Sequence, residues 1–338
     1  MRLKNKYIVI VTTRFDAHAD WVIMKLKEMG ESVIRFHPED FPRHSTVELY
    51  LEGDSFSGGF SDAHRDIHPE RVKSIWWRKP KDIKPLAGLD PLEREFYLGD
   101  NKKLLAGIWN SIETYWVSKP ANQYLADFRP EQLRRASQYG LRTPRTLITN
   151  NPEAAYHFFH SCNRRMITKS LHKPDYGLLQ KRAVRTNELT LTYHTLTTMV
   201  SERDFETNAD LIRNSPCIFQ EYVEKAVELR VAIVEDDVFV GEIDSQARTE
   251  TKVDWRHYEV PMRMKRGKLP DGIADRCVAL MRSYGLAYSA MDFVRTPTGE
   301  HVFLENNPNG QWLFMEQYDP RLKITEALCR RLVNGGNR

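Results

Sequence analysis

Residues 286–312, LAYSAMDFVRTPTGEHVFLENNPNGQW, constrain this chain more than any other stretch. Two runs, 286–294 and 300–306, read as strands, and Thr296, Pro297, Thr298 and Gly299 between them carry turn chemistry. Closed by a two- or four-residue loop, the pair forms a hairpin with Asp292 and Glu305 opposite or diagonal on one face, a few ångströms apart. Asn307 lies two residues beyond Glu305 and so faces the same way. Three hard oxygen donors without His or Cys suit Mg²⁺, usually held by one or two carboxylates together with substrate phosphates. Spacing alone also allows the solvated face of an ordinary hairpin. Phe303 and Leu304 beside the acid, and the Asn-Asn-Pro-Asn-Gly cluster after it, favour a specific loop over a strand that ends in water. The stretch therefore predicts a metal–nucleotide site.

With 338 residues, 41% of them hydrophobic, the chain can fill the cores of two or three domains. No apolar run reaches the roughly 18 residues of a membrane span, and the apolar core of MRLKNKYIVIVTTRFD is too short for a secretory signal. We expect a cytoplasmic protein with no membrane partner. Cys162, Cys217, Cys277 and Cys329 have no CxxC spacing, so they read as buried or incidental thiols, not a disulfide frame or a zinc site. A formal charge of +4 without a dense Lys/Arg block gives no sign of nucleic acid and leaves an anionic substrate open.

Along the chain, a strand at 7–11, a helix at 17–29 stopped by Gly30 and a strand at 32–36 open a parallel α/β domain. A strand at 74–77, a helix over 89–112 and a strand at 114–117 extend it, and no glycine-rich phosphate loop follows the first strand. Pro130 starts a helix to 139 and Gly140 ends it, before a strand at 146–149 and a helix capped by Asn151 and Pro152. Strands follow at 165–170, 189–198 and 217–223, then a hairpin from 229 turning at 235–237. A helix over 271–284 precedes the acidic hairpin, and Pro320 opens a last helix to 333.

These landmarks, in this order, resemble the ATP-grasp superfamily. The match rests on Arg129-Pro130-Glu131-Gln132-Leu133, Gly140 to Pro144, Lys169, the QEYV run of Gln220, Glu221, Tyr222 and Val223, ELRV from Glu228, and the MDF and LENNPNG strands. Within it the chain is most similar to the graspetide (microviridin-type) synthetases, through VTTRFDAHADWVI, Ile75 to Pro80, Asp244-Ser245-Gln246, Asp254-Trp255-Arg256 and Asn309-Gly310-Gln311-Trp312. The resemblance implies an α/β (α+β) fold: an N-terminal pre-ATP-grasp domain over 1–118, a central subdomain over 119–218 and a C-terminal subdomain over 219–338, clamping ATP.

It also implies roles. Backbone at Glu221 and Val223, within the Gln220–Tyr222–Val223 hinge, would read adenine, Glu228 would take the ribose hydroxyls, and Lys169 would meet phosphate. Asp292, Glu305 and Asn307 would hold Mg²⁺. Arg230 would stabilise the phosphoryl group, and Arg256 and Asn309 would meet the substrate. Plain alternatives stand beside these: Glu221 and Glu228 as surface acids, Lys169 as a snorkelling strand lysine, Arg230 as a structural ion pair, Arg256 as surface decoration. One departure is Arg129, where many relatives carry a lysine; it could still grip phosphate, with different geometry.

The implied reaction is ATP-dependent phosphorylation of Asp/Glu side chains in a ribosomal precursor peptide, followed by ester or amide ring closure. The expected partners are leader plus core peptide, with residues 178–214 as leader dock, and a second copy of the chain in a homodimer. A ligase of free amino acids or small peptides, and a non-catalytic peptide-binding relative, are the alternatives.

Overall fold

The structure, a computed structural model, describes residues 6–62, 65–171, 197–257 and 261–335. It begins with β1 (Tyr7–Val11), α1 (Ala17–Glu28), β2 (Val33–Phe36), β3 (Ser45–Glu52), β4 (Ser55–Asp62), β5 (Asp66–Ile67), β6 (Val72–Trp77), α2 (Pro91–Ser111) and β7 (Tyr115–Val117). Strands β2-β1-β6-β7 form one parallel sheet. Every residue of β1 is buried, as a parallel strand covered on both faces requires. Ile8 and Ile10 face α1, while Tyr7, Val9 and Val11 join the core under α2. The antiparallel sheet β3-β4-β5 is an addition the sequence reading left unassigned.

The middle of the chain supplies α3 (Pro120–Ala126), α4 (Arg129–Gln138), β8 (Thr146–Thr149), α5 (Pro152–Ser161), β9 (Met166–Lys169), β10 (Thr198–Val200), α6 (Glu202–Asn214) and β11 (Cys217–Glu221). Its antiparallel sheet runs β10-β9-β11-β8. The strand expected at 189–198 falls mostly outside the described residues, as does the first part of the expected leader dock, 178–196; residues 197–214 give β10 and α6.

The remainder forms β12 (Val227–Val234), β13 (Asp237–Ile243), β14 (Met264–Arg266), α7 (Asp271–Ser283), β15 (Tyr288–Arg295), β16 (His301–Asn307), α8 (Leu313–Tyr318) and α9 (Ile324–Asn334). Strands β14-β13-β12-β15-β16 make an antiparallel sheet. Its two faces differ. Leu229, Val231, Ile233, Met291 and Phe293 pack under α7. On the other face Ala232, Val234, Tyr288 and Ala290 share one core with β1, α1, Trp76 and α9. The chain's end thus closes onto its beginning, with Ser74 Oγ donating to Leu332 O (2.7 Å). No helix among the described residues is long and apolar enough to cross a membrane.

The acidic hairpin closes differently from expectation. Thr296 N–H donates to Glu300 O (2.8 Å), leaving a three-residue loop, Pro297 to Gly299, with Gly299 at φ +87°. Continued without interruption, that register would set Asp292 opposite Leu304. A bulge at Leu304 restores the match: Phe293 pairs Phe303, whereas Asp292 pairs Glu305. It also turns Phe303 into the core against Phe293 (5.5 Å between rings) and Glu305 to the other face. At the far end, one 3₁₀ turn at Pro320–Leu322 precedes α9, which starts at Ile324.

His18, on α1, accepts at Nε2 from the N–H groups of Trp312 (3.1 Å) and Leu313 (3.4 Å), so its ring must stay neutral to make these bonds. Burial, aided by the nearby charge of Arg78, pushes its pKa from 6.5 down to about 3. A folded pKa below the unfolded one means stability present above pH 6.5 and lost as pH falls towards 3, because only the unfolded chain takes up the proton. Between pH 6 and 5, His18 should contribute a loss of up to about 1.4 kcal/mol per unit. Urea unfolding at stepped pH values checks this: His18→Asn should remove about one proton's worth of slope, and an unchanged slope would contradict it.

Candidate active site

Asp292 on β15 sits between two partners, Arg230 on β12 and Glu305 on β16, each directly opposite it in the ladder. Arg230 Nη1 donates to both its oxygens (2.8 and 3.0 Å), and Arg230 Nε and Nη2 reach Gln311 O (3.3 and 3.0 Å). Asn307 Nδ2 lies 2.8 Å from Glu305 Oε1 and 3.2 Å from Asp292 Oδ2, so one amide spans both acids. Burial, with the neighbouring Glu305 charge, raises the Asp292 pKa against the opposing effect of Arg230. Two acids held this close are stabilised by a cation between or beside them. Once the Asn307 amide presents Oδ1, the donor set is all oxygen, which fits Mg²⁺. Among the described residues no group of three or more His, Cys, Asp or Glu could hold a metal, so an ion here would complete its shell with substrate oxygens and water.

The edge strand carrying these residues is locked from outside. Gln132 on α4 clamps the main chain of Asn306 reciprocally: its Nε2 donates to Asn306 O (2.8 Å) and its Oε1 accepts from Asn306 N–H (3.0 Å). The clamp falls between Glu305 and Asn307, and fixes both. Arg129, at the start of α4, places Nη2 2.7 Å from Glu305 Oε2.

A cleft lies between the central and C-terminal sheets. It gathers Lys169, Gln220, Glu221, Tyr222, Val223, Glu228, Arg256, Asp292 and Glu305, all singled out from sequence. Burial lowers the Lys169 pKa to about 8, opposed by the Glu305 carboxylate. At the hinge, the N–H of Glu221 is bonded to Arg145 O (3.0 Å) and that of Tyr222 to Arg165 O (2.8 Å), which leaves Val223, past the strand end, as the candidate backbone donor. Glu228 is held by Lys225 Nζ (2.8 Å), which also donates to Val253 O (2.8 Å). Lys225 was not anticipated; the i, i+3 spacing to Glu228 was its only signal. Arg256 Nε pairs with Asp254 (2.8 Å), whose Oδ2 also accepts from Thr197 N–H (2.8 Å), so the Asp254-Trp255-Arg256 loop is ordered by its own charges.

A second, wider groove runs from Trp77, Lys79 and Tyr124 to Asn309 and Phe314. It shares Trp255, Arg256, Asp292 and Glu305 with the cleft, so the two spaces meet at the acids. Asn309 lines the groove, but its Nδ2 donates to Gln123 Oε1. Gly310 beside it admits no side chain: a Cβ there would lie 2.6 Å from Arg230 Nη2 and 2.4 Å from Ala290 Cβ.

Residues 7–124 match the family described as the MvdD pre-ATP grasp domain. No curated protein matches the sequence. Among solved structures, the macrocyclase MdnC of Microcystis aeruginosa MRC, bound with precursor peptide MdnA, is 30% identical, with 97% of this chain and 99% of that chain covered and a TM-score of 0.81. A RiPP-associated ATP-grasp ligase of Chryseobacterium gregarium, in complex with ADP and a leader and core peptide, is 25% identical over 98% of both chains, with a TM-score of 0.85. Macrocyclase MdnB of the same Microcystis strain is 29% identical over 98% of this chain and 100% of that chain, at a TM-score of 0.77. Likeness in sequence and fold at this level, sustained from the first strand to the last helix, means that the chain belongs to the ATP-grasp ligases that mature ribosomally made peptides.

Proposed function

We propose that the protein is an ADP-forming peptide macrocyclase of the cytoplasm. It phosphorylates an Asp or Glu side chain of a ribosomal precursor peptide and closes an ester or amide ring. The observation that carries this reading is the junction of two spaces at Asp292 and Glu305: a cleft lined by Lys169, the 220–223 hinge and Glu228, and a groove that runs on from the acids to Trp77 and Phe314. ATP in the cleft would set adenine against the 220–223 hinge, its ribose near Glu228 and its phosphates near Lys169. Mg²⁺ held by Asp292, Glu305 and Asn307 would supply neutralisation of phosphate charge.

Arg230 and Arg256, at the junction, stabilise the charge of the transferring phosphoryl group and orient the incoming carboxylate. A carboxylate oxygen attacks the γ-phosphorus, the bond to the β-phosphate oxygen breaks, and ADP leaves. A hydroxyl or amine of the same peptide then attacks the acyl carbon of the acylphosphate. It loses its proton, and phosphate departs with the electron pair. Leader binding at β10 and α6, which follow Thr197 at the cleft, would hold the peptide while the core enters the groove; this extends the reading to the described part of residues 178–214. Incubation with a precursor peptide and ATP tests it. The expected products are dehydrated peptide, ADP and phosphate; stoichiometric AMP and pyrophosphate would overturn it.

A further inference from the structure

The carboxyl ends of β1 and β6 lie side by side, with β2 beyond one and β7 beyond the other. In an open parallel sheet, the crevice outside such strand ends, where the connections diverge, is where a ligand settles. Here the crevice is filled by the chain itself, residues 309–313. Arg78, just past β6, donates from Nη1 to the main-chain oxygens of Asn309 and Gly310 (3.3 Å to the latter). His18 receives the N–H groups of Trp312 and Leu313. Gln123 on α3 accepts from Asn309 Nδ2 and is itself anchored on Trp77 O (2.8 Å). The Trp312 ring lies 4.6 Å from the His18 ring and 5.3 Å from the Arg78 guanidinium carbon.

Arg78 is only 1% exposed, and its Nε lies 3.6 Å from Asp16 Oδ2. Burying a guanidinium this deeply is costly unless it is well partnered. Its hydrogen-bonded partners are two carbonyls of the loop that begins two residues after Asn307. The same loop offers Gln311 O to Arg230.

We propose that Arg78 is a positioning residue of the reaction: it fixes the 309–313 loop, and through it Asn307 and Arg230, so that the N-terminal domain sets the geometry of the metal-binding end of the site. The inference rests on the metal–nucleotide reading above. It requires that loosening Arg78 weaken the metal more than the nucleotide, since Lys169 and residues 220–223 lie outside the clamped loop.

Calorimetric titration of the full-length protein with ADP, with Mg²⁺ and with chelator, tests this without turnover. In the wild type, Mg²⁺ should tighten ADP; if it does not, the metal–nucleotide reading itself fails. In Arg78→Met that enhancement should shrink about tenfold or more, as loss of an outer-shell partner does in metal sites, while metal-independent ADP affinity stays within about twofold. Arg78→Lys, which can reach one carbonyl, should recover part of the loss. A purely structural arginine would lower the unfolding temperature and leave the Mg²⁺ enhancement of the folded protein unchanged, and that result overturns the proposal. Should Arg78→Met fail to fold, Gln123→Met decides: it removes the acceptor for Asn309 without a buried charge, is expected to shrink the enhancement severalfold, and overturns the proposal if it leaves the enhancement intact.

Discussion

Asp292→Asn and Glu305→Gln are each expected to cut ADP formation by roughly a thousandfold, at near-wild-type thermal stability. Each change removes one full charge from the oxygen set at almost constant volume. Loss of several kcal/mol of transition-state charge stabilisation corresponds to about three decades in rate, at about 1.4 kcal/mol per decade. Stability should hold because the new amide oxygens can still accept from Arg230 or Arg129, because Arg230 keeps one neighbouring carboxylate in either variant, and because the two acids no longer repel. Thermal melts and initial rates of ADP release, measured side by side, check both halves. Near-wild-type rates in both variants at matched stability would remove the metal assignment.

The second large effect is expected at Arg230. Arg230→Met leaves the Asp292 carboxylate without its cation and Gln311 O without two donors. Breaking one side of a buried pair costs about 3–5 kcal/mol, and an arginine that stabilises a transferring phosphoryl group is worth on the order of 10³ or more in rate. The variant should therefore lose both stability and turnover. Combining it with Asp292→Asn separates the two: the double variant should regain much of the stability, because the uncompensated charge is gone, and none of the activity. Urea midpoints and single-turnover rates for the four proteins of the cycle measure this. Wild-type turnover in Arg230→Met would place Arg230 outside the chemistry.

The elements that carry their own local signal were legible in the sequence. Gly30, Gly140 and Gly285 mark helix ends at positive φ, and β15 and β16 were placed within two residues. The pairing of Asp292 with Glu305 was also anticipated, but for an incomplete reason: parity along β16 puts Phe303 and Glu305 on one face, and only the bulge at Leu304 separates them. A bulge has no composition of its own here. The clamp on the 309–313 loop was invisible for a different reason. Arg78, His18 and Gln123 lie in stretches of ordinary strand and helix sequence, and their meaning comes from contacts more than 180 residues away in the chain. The β3–β5 sheet was missed because Ser55 to Asp62, with paired glycines, lacks a clear apolar stripe. Gly58 and Gly59 are needed for closeness: a Cβ on either would lie 2.0 Å from a carbonyl oxygen of the neighbouring strand.

On the proposed function, ATP cleavage at Asp292 and Glu305 is coupled to ring closure in a peptide lying in the adjoining groove. The ratio of ADP released to water lost from the precursor peptide, read by nucleotide chromatography and peptide mass in one reaction, tests it most directly. One ADP for each water lost, with both signals absent in Glu305→Gln, is the predicted result. ADP accumulating with no change in peptide mass, or rising in proportion to added free amino acids when no peptide is present, would contradict it.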